Sequence, residues 1–117
     1  MARRVIVCGG RYFADPVAVQ REICALADED QCTIVVHGGA SGVDTLARSV
    51  AENIGLLTEA HPADWKRYGR GAGPRRNQQM ADGGADLCLA FPGGRGTADM
   101  VRRARSAGIP VKEVLGP

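Results

Sequence analysis

The chain has 117 residues, 44% of them hydrophobic and 24% charged, with a formal net charge of +2. That length holds one domain with a real core and little room for a second, and the composition is ordinary for a soluble globular protein. So small a net charge does not by itself call for nucleic acid or a membrane surface, and no apolar run approaches the roughly 20 residues that span a bilayer.

Met1-Ala2-Arg3-Arg4 leads straight into Val5-Ile6-Val7-Cys8, too short for a signal-peptide core, so a cytoplasmic location is expected. Residues 4–8 read as a short buried strand closed by Gly9-Gly10. Asp15-Pro16 has the form of an N-cap followed by proline at the first helical position, and Val19, Ile23 and Leu26 recur at helical spacing to about Asp28. Residues 33–36 form a second strand, ending at His37-Gly38-Gly39. Ser41 and Asp44 have capping-box-like spacing at the start of a helix that runs to about Asn53 and is closed by Gly55. Residues 56–60 give a weaker third strand.

Residues 61–73 are the least regular stretch and hold the only tryptophan, Trp65. Pro74 is expected to start a helix through Met80, stopped by Gly83-Gly84. Residues 85–91 read as the fourth strand and residues 97–107 as the last helix, with Thr97 as its N-cap. Gly108 then caps that helix, and residues 109–114 form a fifth strand whose Pro110 suggests an edge. The four cysteines (Cys8, Cys24, Cys32, Cys88) form no CxxC pair and are expected as buried, reduced thiols.

Strands alternating with helices imply a single α/β Rossmann-like domain over residues 1–117. Its five-stranded parallel sheet would have helices on both faces. Right-handed crossovers put every strand-to-helix loop at one end of such a sheet. That end would gather Gly9-Gly10-Arg11, Gly38-Gly39-Ala40-Ser41-Gly42, the 65–77 stretch and Pro92-Gly93-Gly94-Arg95-Gly96-Thr97. The last of these has three glycines in four positions before a helix, where main-chain amides and the positive helix end suit a phosphate. Taken alone it reads equally well as a tight turn that binds nothing.

The chain resembles the SLOG superfamily, which contains the DprA/Smf and LOG groups. Residues 92–97 look like the PGGxGT loop of LOG proteins, residues 38–47 like the G-x-A-x-G-x-D-x-x-A motif of DprA, and Pro74-Arg75-Arg76-Asn77 like its RN segment. Gly9-Gly10-Arg11-Tyr12-Phe13, Pro62-Ala63-Asp64-Trp65 and Tyr68-Gly69-Arg70 bring it nearest to the YspA or cpYpsA-related branch. The resemblance implies a nucleotide-type ligand, AMP-like or ADP-ribose-like, with no resident cofactor, and a homodimer. It also implies a departure. LOG phosphoribohydrolases carry a glutamate where this chain has Met100, and neighbouring Asp99 is turned away by about 100° on a helix.

Several residues have two readings. Arg76 and Asn77, at a helix start, can face a phosphate and a ribose or base, or be a solvated arginine and a local cap. Asp44 can bind a ribose hydroxyl, act as a base, or merely sit well in a first helical turn. Trp65 can stack on a base or anchor its loop to the core. Lys66, Arg67, Arg70, Arg75 and Arg76 beside Trp65 and Tyr68 can bind single-stranded nucleic acid. Arg102, Arg103 and Arg105 read as complements to a helix dipole. His37 and His61 have no third ligand at metal spacing.

The leading expectation is a nucleotide sensor or carrier. Its site would comprise Gly10, Arg11, Gly38, Gly39, Ser41, Gly42, Asp44, Trp65, Arg75, Arg76, Asn77 and residues 92–97. A phosphoribohydrolase using Asp99 or Asp44, and a single-strand binder, stand behind it.

Overall fold

The β-branched run at the N-terminus becomes the central strand, β1 (Arg4–Cys8), with residues 5–8 buried. In the computed structural model, which describes residues 3–115, β1 lies between β2 (Ile34–His37) and β4 (Leu87–Ala90). Strand β3 (Leu57–Ala60) forms one edge and β5 (Val111–Glu113) the other, giving the order β3-β2-β1-β4-β5. Every pairing is parallel.

The period-2 alternation of a strand divides the core. Val5, Val7, Val35 and Leu89 pack on one face with α1 (Pro16–Glu29) and α2 (Val43–Asn53). Ile6, Val36, Cys88 and Ala90 pack on the other with α4 (Ala72–Asp82) and α5 (Arg95–Ser106). Both faces are thus covered, as the near-continuous apolar strands require.

Local signals set most boundaries, and the exceptions are instructive. Asp15 caps α1 as expected, its Oδ1 accepting from the Ala18 amide at 3.1 Å. The stretch 61–73 is more regular than expected. Asp64 caps a short helix, α3 (Trp65–Tyr68), by accepting from the Arg67 amide at 3.2 Å. A 3₁₀ turn (Gly69–Gly71) then runs into α4, which starts at Ala72 rather than Pro74. Proline is tolerated there because the first amides of a helix have no intrahelical acceptor. Arg76 and Asn77 therefore sit inside a helix, not at its start.

Two expected caps are replaced. Helix α5 is capped by Gly94, whose carbonyl accepts from the Ala98 amide at 3.0 Å, so Thr97 already lies in the first turn. Helix α2 is capped by Gly42 with no side-chain bond, and the Ser41–Asp44 box does not form. Of the arginines near the end of α5, Arg103 and Arg105 lie in its last turn, as expected for its dipole, and all three also meet carboxylates. Arg102 and Arg103 pair with Asp99 at 2.5 and 2.9 Å, and Arg105 lies 3.5 Å from Glu113. Of the cysteines, Cys8 and Cys88 are buried, Cys24 is half-buried and Cys32 is exposed; all four are free.

Arg4 ties the β3 edge to the centre of the sheet. Its guanidinium donates to both Glu59 carboxylate oxygens at 2.7 and 2.8 Å and to the Gly84 carbonyl at 3.0 Å. His61 Nε2 lies 2.7 Å from Glu59 Oε2. The Arg4 bonds first, then His61, hold the Glu59 carboxyl at about 2, below its usual 4.5. A carboxyl depressed on folding stabilises fully above its unfolded value, and that stabilisation is lost as pH falls toward the folded value. The Glu59 side chain is 36% exposed, so solvent screening discounts the effect to about 1 kcal/mol. Urea unfolding should find Glu59→Gln less stable than wild type near pH ~6, with the gap narrowing near pH ~3. A gap independent of pH contradicts this account of the network.

Candidate functional site

Strand order reverses direction between β1 and β4. In open parallel sheets that reversal leaves a crevice beyond the carboxyl ends of the two strands, where ligands bind. Here glycines lock the loops around it. The Gly10 amide donates to the Pro92 carbonyl at 2.9 Å, and the Gly10 carbonyl accepts from Val43 at 3.4 Å. A Cβ on Gly10 would lie 3.0 Å from Pro92 O, and one on Gly93 would lie 2.7 Å from the Gly10 amide. Gly42, at φ +80°, would place a Cβ 2.5 Å from the Arg11 carbonyl oxygen. These three glycines are required for the loops to touch one another.

The crevice opens into a cavity of about 970 Å³. All four glycine-bearing loops contribute to its wall: Gly10 and Arg11; Ser41 and Asp44; Trp65, Arg76 and Asn77; and residues 92–97. Asp99 and Met100 complete one side. Gly38, Gly39, Gly42 and Arg75 stand outside the lining.

The loop after β2 spends its amides internally. Asp44 Oδ2 accepts from the Gly38 and Ala40 amides at 3.1 and 3.2 Å, and His37 Nδ1 accepts from Gly39 at 3.0 Å. Those groups are therefore committed within the chain. Asp44 is only 7% exposed. Burial pushes its carboxyl above the usual range, against the Ala40 amide, the Arg76 charge and the Gly38 amide. Its second oxygen has no hydrogen-bond partner among the described residues.

Arg76 and Asn77 form a latch. Arg76 Nη1 donates to the Gly38 carbonyl at 2.6 Å and its Nε to Asn77 Oδ1 at 2.9 Å. Asn77 Nδ2 donates to the Gly96 carbonyl at 3.2 Å and to Asp99 Oδ2 at 3.0 Å. Two adjacent side chains thus join the loop after β2 to the start of α5. Asp99 is occupied by the same network. Burial raises its carboxyl, but hydrogen bonds from Arg103, Asn77 and Arg102 outweigh that and hold it below the usual range. Met100 is buried in the core between α5 and the sheet.

What remains free is concentrated at one place. The amides of Arg95, Gly96 and Thr97 precede the first intrahelical bond of α5, made by Ala98. Arg11 and Arg95 line the cavity and pair with no carboxylate among the described residues. Trp65 is 57% exposed, the rim of its ring 3.2 Å from where a Cβ on Gly73 would sit, so it does not anchor its loop in the core. Sequence reasoning passed over Tyr12, which is 88% exposed on the same cavity. An aromatic immediately after Gly-Gly-Arg in a strand-to-helix loop was the available signal. Arg75 instead stacks on Tyr68, its guanidinium carbon 4.1 Å from the ring centre. Chemically, the cavity offers free amides and cations to an anion, one accessible carboxylate oxygen to hydroxyls, and two exposed rings to a flat apolar group.

Residues 3–68 match the family model described as the YspA, cpYpsA-related SLOG family, a span that includes the first two glycine loops and Trp65. The gene 61 protein of Mycobacterium phage D29 is 44% identical over 120 residues, covering 93% of this chain and 94% of that protein. Among solved structures, DNA processing protein A (DprA) from Streptococcus pneumoniae matches 99% of this chain with a TM-score of 0.79 at 25% identity. The match covers 51% of DprA, so this chain spans about half of that protein. The C-terminal domain of PF1911 hydrogenase from Pyrococcus furiosus shares the fold, with a TM-score of 0.58 at 15% identity over 97% of this chain and 91% of that one. Among the described residues no helix is long and apolar enough to cross a membrane. On the family match and the phage relative together, the chain belongs to the YspA, cpYpsA-related SLOG family.

Proposed function

We propose that the cavity binds a nucleotide or nucleotide-derived molecule, AMP-like or ADP-ribose-like, and that the chain works as a sensor or carrier. The observation that carries this reading is a glycine the fold does not need. Gly96 has no positive φ, and a Cβ on it would meet nothing within 4 Å. Inside the helix, glycine costs about 0.5–1 kcal/mol relative to alanine. The residue borders the cavity beside the free amides of α5. A phosphate drawn close to the main chain accounts for glycine there, where the packing of the chain does not.

In this reading the phosphate rests on the amides of residues 95–97 with Arg11 and Arg95 beside it. The free Asp44 oxygen and Ser41 take ribose hydroxyls, and Trp65 offers a face to the base. Arg76 and Asn77 position these loops rather than contact the phosphate. Thermal melts with AMP, ADP and ADP-ribose test the proposal. Ligand at 100 times its dissociation constant should add about 2.7 kcal/mol, which for a chain of this size is roughly 10 °C. No shift across the panel, with no heat of binding, rejects it.

Asp44 supports a second reading, cleavage of a nucleoside 5′-monophosphate to free base and ribose 5-phosphate. A buried carboxyl with a raised pKa and one free oxygen in a ligand cavity is suited to proton transfer. Asp99 is bound to three side chains and is the weaker candidate. Incubation with AMP should then release adenine from wild type and not from Asp44→Asn; an inert wild type ends this reading. Pairing of two copies, implied by the family resemblance, would find exposed Leu57 on the free β3 edge and exposed Ile54 at the end of α2. Sedimentation velocity decides that point, a purely monomeric profile rejecting it.

A further inference from the structure

Fifteen Lys and Arg side chains divide cleanly by position. On β1 and just before it, on α1, on α2, along the body of α5 and on β5, each lies within 3.6 Å of a carboxylate. Seven have no such partner among the described residues: three line the cavity, and four fall on the segment 66–75, which runs between its lining residues Trp65 and Arg76. Arg11, Arg76 and Arg95 line it, while Lys66, Arg67, Arg70 and Arg75 follow Trp65 along α3, the 3₁₀ turn and the start of α4. Residues 64–76 carry five cations against Asp64 alone, a net +4 in a chain whose total is +2, which leaves −2 for everything else.

One phosphate in the cavity does not account for this excess. Its own cations, Arg11 and Arg95, already face it, and the outer four do not reach the lining. Two of them flank Tyr68, the Arg67 and Arg75 guanidinium carbons lying 5.1 and 4.1 Å from its ring centre, and the segment 66–75 that carries all four is termed the ledge. An array of unpaired cations beside exposed aromatic faces is complementary to a phosphodiester chain with unstacked bases. Tyr12 and Trp65 present such faces at the cavity itself.

We infer that the site receives the 5′-phosphorylated end of a single-stranded nucleic acid: the terminal nucleotide enters the cavity, and the following phosphates cross the ledge formed by Lys66, Arg67, Arg70 and Arg75. This rests on the nucleotide reading above, since a 5′-mononucleotide held by its phosphate on α5 leaves its 3′ oxygen as the point from which a chain continues. A duplex end is disfavoured, because its terminal base is paired and stacked and does not enter a cavity alone.

Fluorescence anisotropy with a 3′-labelled, 5′-phosphorylated hexanucleotide tests this. Its 5′-hydroxyl counterpart, a 3′-phosphorylated hexanucleotide, a blunt duplex and the 5′-mononucleotide serve as comparisons. The 5′-phosphorylated strand should bind at least ~10 times more tightly than any of them at low salt, with a log–log salt slope of about −2, near 0.7 per phosphate neutralised. The side chains of Lys66 and Arg70 make no hydrogen bond or ion pair among the described residues. A Lys66→Glu/Arg70→Glu variant should therefore fold normally, lose that ~10-fold advantage and flatten the slope, with mononucleotide affinity unchanged. Equal affinity for hexanucleotide and mononucleotide, or no effect of the charge reversal, overturns the inference and leaves the nucleotide reading standing. Ledge-dependent strand binding that ignores the 5′ phosphate, with no mononucleotide binding, overturns both. Tighter binding of the duplex or of the 3′-phosphorylated strand overturns the assignment of the strand end.

Discussion

Gly42→Ala is expected to destabilise the fold by about 3 kcal/mol. Two costs combine. At φ +80° an alanine enters a left-handed conformation that disfavours any Cβ, and that Cβ would lie 2.5 Å from the Arg11 carbonyl oxygen. Loop β1–α1 would have to move, breaking the Gly10 contacts to Val43 and Pro92. Gly55 provides the internal control. It has φ +85° but open space where a Cβ would sit, so Gly55→Ala should cost only the conformational part, about 1 kcal/mol. Urea unfolding of the two variants separates the terms. Equal losses contradict the interlocked-loop picture of the crevice.

Gly96→Ala is expected to act in the opposite direction on the fold and strongly on the ligand. The residue lies in the first turn of α5, with helical rather than left-handed backbone and open space where a methyl group would sit. Alanine there should raise unfolding stability by about 0.5–1 kcal/mol. The same methyl group occupies the space beside the free amides, and loss of about 1.4 kcal/mol or more of binding corresponds to at least a tenfold weaker nucleotide complex. A variant more stable than wild type and poorer in binding separates a ligand glycine from a structural one. An alanine variant that binds as well as wild type removes the phosphate from α5.

These two glycines illustrate what is legible in the sequence. Alternating apolar strands and amphipathic helices specify the parallel sheet, and residues 4–8 and the Asp15-capped helix emerge almost unchanged. Convergence of the glycine loops follows from topology alone. What each glycine does is not legible, because Gly10, Gly42 and Gly96 look alike in the chain and differ in backbone φ and in which atoms lie opposite them. Asp44 has capping-box spacing, yet its carboxylate turns back to the Gly38 and Ala40 amides, a choice set by the tight turn after β2. Thr97 yields the cap to Gly94 because the backbone turns one residue after Gly93, whose close contact with the Gly10 amide lies far away in sequence. The Arg76-Asn77 pair stands out in the chain, but its partners come from α5 and from the loop after β2, which no local pattern announces. The charge division is a similar case. Net charge conceals it, and only the positions of the carboxylates separate paired from unpaired cations.

Backbone amide NMR during a titration with ADP-ribose is the most direct test of the phosphate site. The amides of residues 94–97 should shift most and saturate together, while those of Gly38 and Ala40, already donated to Asp44, should move little. Shifts centred on the loop after β2 or on the β3 edge, with residues 94–97 unmoved, contradict the account.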